Sequence, residues 1–292
     1  MAGSLDGMAP LLAVDAPSLL FRAFYALPDS IQDGEGHSVN ALLGTANLLL
    51  FEIERFAPRA TVLCFGEEAA HYRTEAYAPY HADRVDVPDA LTWQWSRAGD
   101  FFGAFGFEIA VAEGLEADDL LGSYATVETE AGGEALLLTG DRDMFQCASE
   151  RVRVLYVKTG GSRGAEEMGP KEVIARYGVP PEAVPDFIAL RGDPSDGLPG
   201  AKGIGEKTAA DVLRRHGTLE AAIDAAIREK PGVRKALLAD PDLLLAFKDI
   251  ATLRHVPVEL PPDRPLDTEG AAQAARELGM NRLAERLERW PD

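Results

Sequence analysis

The feature of this sequence that most constrains its fold is an alternation of short apolar runs, rich in β-branched residues, with longer segments of helical spacing. Buried strands are predicted at 11–14, 60–65, 107–112, 134–139 and 152–157. Helical spacing covers the longer segments between them, at 39–56, 90–105 and 117–130. Strands that alternate with helices indicate βαβ units, so this part of the chain is predicted to form an α/β domain with a mostly parallel sheet.

The strand signals fade after about residue 165, and helical segments joined by glycine and proline turns follow. These predicted helices cover 170–177, 181–190, 206–216 and 219–228, and the tail at 268–288 also has helical spacing. We therefore predict two domains, an α/β domain over residues 1–170 and a helical domain over residues 171–292.

The formal net charge of −19 argues against a generic nucleic-acid binder, because neutralising many phosphates usually requires a basic surface. Solubility and clustering of carboxylates around cations both remain compatible with this charge. No apolar run approaches the roughly 18 residues of a membrane helix, and the N-terminus lacks a signal-peptide pattern. The two cysteines, Cys64 and Cys147, have neither a metal-binding nor a redox spacing. We expect a cytoplasmic protein with no membrane association.

Carboxylates cluster where the predicted strands end, which is the edge of a parallel sheet that carries binding sites. Asp15 ends the first predicted strand, and Asp141 and Asp143 follow the fourth. Glu116, Asp118 and Asp119 follow the third, and Asp193 and Asp196 come later, just before a glycine-rich segment. Each acid alone has an ordinary explanation, such as a helix cap or a turn.

Taken together, these carboxylates would repel one another strongly in one crevice unless cations were bound there. Oxygen ligands without His or Cys suit Mg²⁺ or Mn²⁺ better than Zn²⁺. A pair of such ions is a common apparatus for the in-line cleavage of phosphodiesters. The sequence therefore predicts a site for two Mg²⁺ or Mn²⁺ ions.

The segment "GAKGIGEKTA" at 200–209 places glycines in a tight turn before a helix. Glycine allows backbone amides to approach a phosphate, and a helix N-terminus favours an anion. The spacing of a P-loop is absent, so a contact to a nucleic-acid backbone is the functional interpretation and a plain connector between helices is the alternative. The candidate DNA-binding residues here are Lys202, Gly203, Ile204, Gly205, Lys207 and Thr208.

Five segments resemble, in order, the motifs of the bacterial 5′-3′ exonuclease and flap endonuclease family, which includes the N-terminal nuclease domain of bacterial DNA polymerase I. They are "LLAVDAPSLLFRAFYALP", "YAPYHADR", "EGLEADDLLG", "TGDRDMFQ" and "LRGDPSDGLPGAKGIGEKTA". The resemblance covers roughly residues 11–260. It implies a PIN-like α/β domain with a helical arch at about 70–100 and a helix–three-turn–helix DNA-binding domain.

The same resemblance implies cleavage of branched or 5′-flap DNA with Mg²⁺ or Mn²⁺, and a K⁺ ion at the helix-hairpin-helix. We expect a stand-alone, monomeric member. The eight acids match the metal-site positions of the family: Asp15, Glu116, Asp118, Asp119, Asp141, Asp143, Asp193 and Asp196. Tyr80, Arg84 and the DNA-contacting Arg73 match the segment that leads into the arch, and Arg22 matches an arginine of the first helix.

Two positions depart from the family pattern. Gly66 stands where the family has an aspartate at the end of the second strand, and His81 stands where it has a lysine that stabilises the scissile phosphate. Lysine is permanently charged, whereas an unperturbed histidine is mostly neutral at pH 7. Losing a ligand and a cation raises the barrier by on the order of several kcal/mol at an electrostatically driven site. Glu67, Glu68 or a water could replace the missing carboxylate.

Three functions follow from these patterns. The leading hypothesis is a structure-specific nuclease in which Arg84 and His81 neutralise the charge that develops on the phosphate. The alternative is a protein that binds DNA flaps or junctions with weak or lost cleavage, because of Gly66 and His81. A third hypothesis is an RNA-directed PIN-type ribonuclease, which the duplex-directed hairpin disfavours.

Overall fold

The computed structural model describes residues 9–82, 84, 86–158 and 164–291. Its strands are β1 (Leu11–Asp15), β2 (Ala60–Phe65), β3 (Glu108–Val111), β4 (Ala135–Thr139), β5 (Val152–Tyr156) and β6 (Glu166–Met168). They form one six-stranded sheet in the order β3-β2-β1-β4-β5-β6. The first five strands pair in parallel, and β6 pairs antiparallel with β5.

The predicted fold class is confirmed, since helices flank a mostly parallel sheet and a helical part follows it. The five predicted strands lie within one or two residues of their observed bounds. Strand β6 was not predicted, because its sequence "EEM" has neither apolar alternation nor β-branched residues.

The described helices are mostly short. The first five are α1 (Ala16–Ala26), α2 (Asn40–Phe56), α3 (His71–Ala76), α4 (Asp89–Gly103) and α5 (Ala117–Glu130). The next six are α6 (Pro170–Tyr177), α7 (Val184–Arg191), α8 (Glu206–His216), α9 (Leu219–Asp224), α10 (Pro231–Leu237) and α11 (Pro241–Ala251). The last two are α12 (Thr268–Glu277) and α13 (Asn281–Glu288). Within the described ranges, no helix has both the length and the apolar character that crossing a bilayer requires.

Both faces of the sheet are buried, which explains why its central strands are continuously apolar. Alternate residues of β1 point to opposite faces. Leu11 and Ala13 belong to one core with buried residues of α5, α7 and α11. Leu12 and Val14 belong to the other core, with buried residues of α1, α2 and α4.

The C-terminal helices α12 and α13 pack against the α/β part, although the predicted helical domain included them. Ala275 and Leu283 are buried in the same core as α1, α2 and α4. The Asp267 amide, just before α12, donates to the Phe105 carbonyl at 2.9 Å. Sequence spacing alone could not assign this pair of amphipathic helices to either part. The boundary at residue 170 itself stays a prediction.

The region predicted as a helical arch contains α3, a series of turns and the first part of α4. Asp83 and Val85 lie outside the described residues. His81, within the turns, has a φ of +57°, a left-handed conformation that is uncommon for residues other than glycine.

Gly66 lets the end of β2 contact the start of α5. A Cβ at this position would lie 2.5 Å from the Ala117 nitrogen and 2.5 Å from the Glu116 carbonyl carbon. The next residue is held in place too, because the Glu67 amide donates to the Leu115 carbonyl at 2.8 Å. A side chain at position 66 would therefore have to move backbone.

We predict that Gly66→Ala lowers the free energy of unfolding by about 1–3 kcal/mol, because the added methyl group overpacks this contact. Gly99→Ala is the matched control, since its Cβ would meet only Ile109 Cγ2 at 3.9 Å. In helix α4 that change should leave stability unchanged or raise it by up to about 1 kcal/mol. Urea unfolding of both variants measures the difference, and equal effects would contradict the close approach.

Candidate active site

The order of the strands reverses between β1 and β4, and this is where an open α/β sheet forms a crevice. Asp15 ends β1 at this point. Its Oδ1 accepts a hydrogen bond from the Ser18 amide at 3.0 Å, which caps α1. Its Oδ2 accepts a hydrogen bond from the Thr139 hydroxyl at 2.7 Å. Asp15 is therefore both a helix cap and a carboxylate of the crevice.

The turn after β4 brings Asp141 and Asp143 to the same edge. The Asp141 amide donates to Thr139 Oγ1 at 2.9 Å, and Asp141 Oδ1 accepts from the Asp143 amide at 2.9 Å. Thr139, which was not among the predicted site residues, thus connects the ends of two strands. A polar residue closing an otherwise apolar strand, "ALLLT", was the signal that could have identified it.

Glu116 precedes α5 and is held from three sides. Its Oε1 accepts from the Ala70 amide at 2.9 Å. Its Oε2 accepts from Arg73 Nη1 at 2.6 Å and from the Tyr80 hydroxyl at 3.1 Å. These contacts tie the start of α5 to α3 and to the turn after it.

Asp119 lies behind the crevice, although its sequence position made it a candidate metal ligand. It is fully buried and does not line the groove. Its oxygens accept hydrogen bonds from the Arg254 amide at 2.7 Å and from the Tyr72 hydroxyl at 3.1 Å. These hydrogen bonds connect α5 with α3 and with the segment after α11, and a role of Asp119 at the metal site stays a prediction.

Asp193 and Asp196 come from the loop between α7 and α8. Asp193 Oδ1 accepts from the Ser195 amide at 2.9 Å, and its Oδ2 accepts from Arg191 Nη2 at 3.0 Å. Asp196 Oδ1 lies 3.1 Å from His81 Nε2 and 3.5 Å from Arg84 Nη2. The helical part of the chain thus contributes two carboxylates to the crevice.

These groups line one groove with a volume of about 1930 Å³. We call seven of the carboxylates that line it the acidic cluster: Asp15, Glu116, Asp118, Asp141, Asp143, Asp193 and Asp196. All of the predicted metal-site residues except Asp119 therefore line the same groove.

Burial and mutual repulsion raise the pKa values of several members of the cluster. The pKa of Asp141 rises to about 7, first because of burial and then because of the negative charge of Asp196. Burial and the nearby Asp141 raise the pKa values of Asp118 and Asp143 well above the ordinary range. Burial also raises the pKa of Glu116, while the positive charge of Arg73 opposes that rise.

The residues fit divalent cations. Asp143 Oδ1 is buried without a hydrogen-bond partner among the described atoms, so it has an unused acceptor. Across the described ranges, no three His, Cys, Asp or Glu side chains already form a ligand set for one ion. Mg²⁺ suits such a site, since it keeps several waters and uses only one or two carboxylates.

The predicted basic and aromatic residues divide into exposed and buried groups. The Arg84 side chain is 40% exposed and lines the groove. Arg22 also lines the groove, and its Nη2 donates to the Gly140 carbonyl at 2.6 Å. Tyr80 and Arg73 are buried.

Arg73, which was expected to contact DNA, lines the groove but is almost fully buried. Its guanidinium is 5% exposed and is paired with Glu116 and with Asp119. These ion pairs hold Glu116 in place, and a contact between Arg73 and DNA stays a prediction.

The glycine hairpin lies between α7 and α8, and a separate cavity of about 600 Å³ is lined by residues 199–205. Gly200 and Gly203 have φ values of +65° and +87°, which the tight turn requires. Lys202, Gly203, Gly205 and Lys207 are exposed, Thr208 is half-buried, and Ile204 is buried and anchors the turn in the core. Backbone and cationic side chains are thus presented together.

A mostly parallel sheet with a carboxylate-lined crevice at its switch point, followed by a helical part with a glycine hairpin, defines the class of PIN-like nuclease folds. Comparison with known proteins agrees. The family described as "5′-3′ exonuclease, N-terminal resolvase-like domain" matches residues 10–178. The family described as "5′-3′ exonuclease, C-terminal SAM fold" matches residues 179–273. The chain belongs to the 5′-3′ exonuclease family.

Two relatives illustrate the range of this family. A 5′-3′ exonuclease of Mycobacterium tuberculosis is 36% identical over 315 residues, covering 97% of this chain and 98% of the relative. DNA polymerase I of Mycobacterium bovis is 35% identical over 293 residues, covering 98% of this chain. The chain spans about a third of the length of the polymerase, since the match covers 32% of it.

Solved structures share the fold. The flap endonuclease of bacteriophage T5, in a pseudo-enzyme-product complex with DNA and metal ions, gives a TM-score of 0.68 at 18% identity, covering 96% of this chain and 98% of that one. The catalytic core of Rad2 in complex with a DNA substrate gives a TM-score of 0.63 at 15% identity, covering 96% and 91%.

The acidic cluster predicts that the metal-free protein loses stability as the pH rises. A carboxyl group with a raised pKa holds its proton to a higher pH in the folded state than in the unfolded state. Its stabilising contribution is therefore complete below the unfolded value of about 4 and is lost as the pH rises through the folded value. For Asp141 the folded pKa is about 7. We expect the Tm in EDTA to fall between pH 5 and pH 8.

Added Mg²⁺ should restore more of the Tm at pH 8 than at pH 5, because the ion competes with protons for the same carboxylates. Asp141→Asn should reduce the pH dependence in EDTA and weaken the effect of Mg²⁺. Asp100→Asn, a change of an exposed acid on α4, is the matched control. A metal-free Tm that stays constant or rises over this range would contradict the prediction.

Proposed function

We propose that this protein is a structure-specific 5′ nuclease that hydrolyses phosphodiesters of branched or 5′-flap DNA. The observation that carries the proposal is the convergence of the acidic cluster, from two parts of the chain, in one groove beside an exposed arginine. The relatives support it, because one is a 5′-3′ exonuclease and the T5 structure is a flap endonuclease with DNA and metal ions. DNA replication and repair are the settings in which such substrates arise.

In this proposal the acidic cluster holds two divalent ions, Mg²⁺ or Mn²⁺, which when bound supply an activated water and charge neutralisation at the phosphate. The chain itself orients the carboxylates. Thr139 holds Asp15, while Arg73 and Tyr80 hold Glu116, so the oxygens are positioned before substrate arrives. Fixed oxygens of this kind need little reorganisation during the reaction.

Cations at the groove act on the substrate. Arg84 is exposed and lies 3.5 Å from Asp196, so it can contact a phosphate next to the cluster. Arg22, on α1, also lines the groove. Both guanidiniums would neutralise charge on a phosphate that enters the groove.

The glycine hairpin would bind the backbone of the duplex, independently of base sequence. Its exposed glycines and the side chains of Lys202 and Lys207 support this role. The cavity lined by residues 199–205 would hold K⁺, for which carbonyl oxygens are suitable ligands. We further propose that the protein acts as a monomer in the cytoplasm.

The alternative, a flap-binding protein without cleavage, has no support from the relatives. Gly66 lacks the carboxylate that the family pattern has at this position. Neighbouring carboxylates still line the groove, so this loss is less severe. Cleavage of RNA is a separate outcome that matched RNA and DNA flaps would distinguish.

We predict metal-dependent cutting of 5′-labelled flap DNA near its junction, with Mg²⁺ or Mn²⁺ and not with EDTA. Asp141→Asn and Asp143→Asn should each lower the single-turnover rate at least about a hundredfold, because the carboxylates position the charge that stabilises the transition state. Asp100→Asn should cut at the parental rate. Gel shifts in Ca²⁺ check that the slow variants still bind DNA.

Tight binding without cutting by the parent would favour the alternative function. Parental rates in both the Asp141 and Asp143 variants would show that the acidic cluster is not the active site.

The hairpin predicts a specific salt dependence. Lys202→Gln with Lys207→Gln should weaken the binding of flap DNA in Ca²⁺ and reduce the slope of log K against log salt by about 1 for each lost phosphate contact. Lys171→Gln with Lys235→Gln, which changes two exposed lysines outside the hairpin, is the charge-matched control. Equal slopes for the two double variants would contradict a specific hairpin contact.

A further inference from the structure

The His81 side chain is buried and has three neighbouring protein groups as its contacts. Nδ1 lies 2.8 Å from the Glu68 carbonyl oxygen, which can only accept a hydrogen bond, so this nitrogen is the donor. Nε2 lies 3.1 Å from Asp196 Oδ1, which is also an acceptor, so both contacts are hydrogen bonds when both ring nitrogens carry a proton. The imidazole stacks on the Tyr80 ring with centroids 3.8 Å apart.

The backbone repeats the same connection. The His81 amide donates to the Asp196 carbonyl at 3.2 Å, so main chain and side chain both contact one residue of the loop before the hairpin. The left-handed φ of +57° turns the chain so that both contacts form together. Such a conformation persists where surrounding contacts hold it in place.

The enclosure leaves His81 little access to a phosphate. Its side chain is 4% exposed, whereas the side chain of Arg84 is 40% exposed. Arg84 lines the groove and His81 does not. The cation of this segment that faces the groove is therefore Arg84.

The Glu68 carbonyl, which is the partner of His81 Nδ1, is held in place by contacts close to Gly66. Glu68 follows two residues after Gly66, where the close approach to the start of α5 holds the backbone. Glu67, between them, donates its amide to Leu115 and accepts from the Gly114 amide at 2.9 Å. One continuous set of contacts therefore connects Gly66 with His81. It runs from α5 through the loop after β2 to Asp196.

We infer that His81 is a positioning residue that holds the carboxylate of Asp196 at the groove, and that it does not contact the phosphate. This inference rests on the proposed nuclease function. Hydrogen-bonded partners of this kind fix the orientation of metal-binding carboxylates and commonly change metal affinity by about tenfold or more. His81 therefore acts on the acidic cluster through Asp196.

The test is a double-mutant cycle with two readouts, using the full chain. The variants are His81→Asn, which tolerates the left-handed φ, Asp196→Asn, and the two combined. The first readout is the dissociation constant for Mn²⁺ alone, by electron paramagnetic resonance, without DNA. The second is the single-turnover cleavage rate on flap DNA. His71→Asn, on an exposed histidine of α3, is the control.

We expect His81→Asn to weaken Mn²⁺ binding about tenfold and to add nothing once Asp196 is already Asn. Additive losses in Mn²⁺ affinity, or no loss in the single variant, would overturn the inference. His81→Lys gives a second decision. A lysine that reached the phosphate would speed cleavage, whereas loss of the positioning contacts slows it and weakens Mn²⁺ binding.

The two readouts separate this inference from the proposed function. If the parent protein fails to cut flap DNA, the nuclease proposal fails, and the cycle on Mn²⁺ affinity still decides whether His81 acts through Asp196. If the parent cuts and the cycle is additive, the function stands and the role of His81 is overturned.

Discussion

Repulsion among the carboxylates of one groove is the constraint on which the rest of the site depends. In the metal-free protein it raises pKa values, as at Asp141, and it would push the side chains apart. The fold resists this by giving individual members their own donors. The Thr139 hydroxyl donates to Asp15, the Arg73 guanidinium donates to Glu116, and His81 Nε2, when it is protonated, donates to Asp196. Each donor fixes a carboxylate without cancelling the charge of the whole cluster.

The distribution of charge is compatible with the proposed binding of an anionic polymer by a strongly acidic chain. Carboxylates are concentrated where cations would be bound, while Lys202 and Lys207 are exposed at the hairpin. The net charge is a sum over the whole chain and does not describe the local field. The value of −19 is therefore a weak argument against binding of nucleic acid. Arg84 brings positive charge to the groove itself.

The sheet and the position of the acids were predictable, because local patterns and one rule of parallel topology determine them. Burial within the tertiary structure was not. Asp119 and Asp118 are adjacent in sequence, yet only Asp118 lines the groove, since one step along a helix rotates a side chain by about 100°. The enclosure of His81 and Arg73 depends on loops that are distant in sequence. The packing of α12 and α13 depends on a choice between two apolar surfaces that spacing alone cannot make.

The return of the chain to the α/β part has a mechanical consequence. Helices α6–α11 are connected to the sheet twice, through the segment before α6 and through the segment that leads into α12. In the segment that leads into α12, the Arg264 amide donates to the Arg59 carbonyl at 2.8 Å. This hydrogen bond holds the segment next to the start of β2. Two connections restrict the rotation of helices α6–α11 relative to the sheet. In the proposed function, this restriction would keep the distance between the hairpin and the acidic cluster nearly constant, and it would limit where along a bound strand the groove can act.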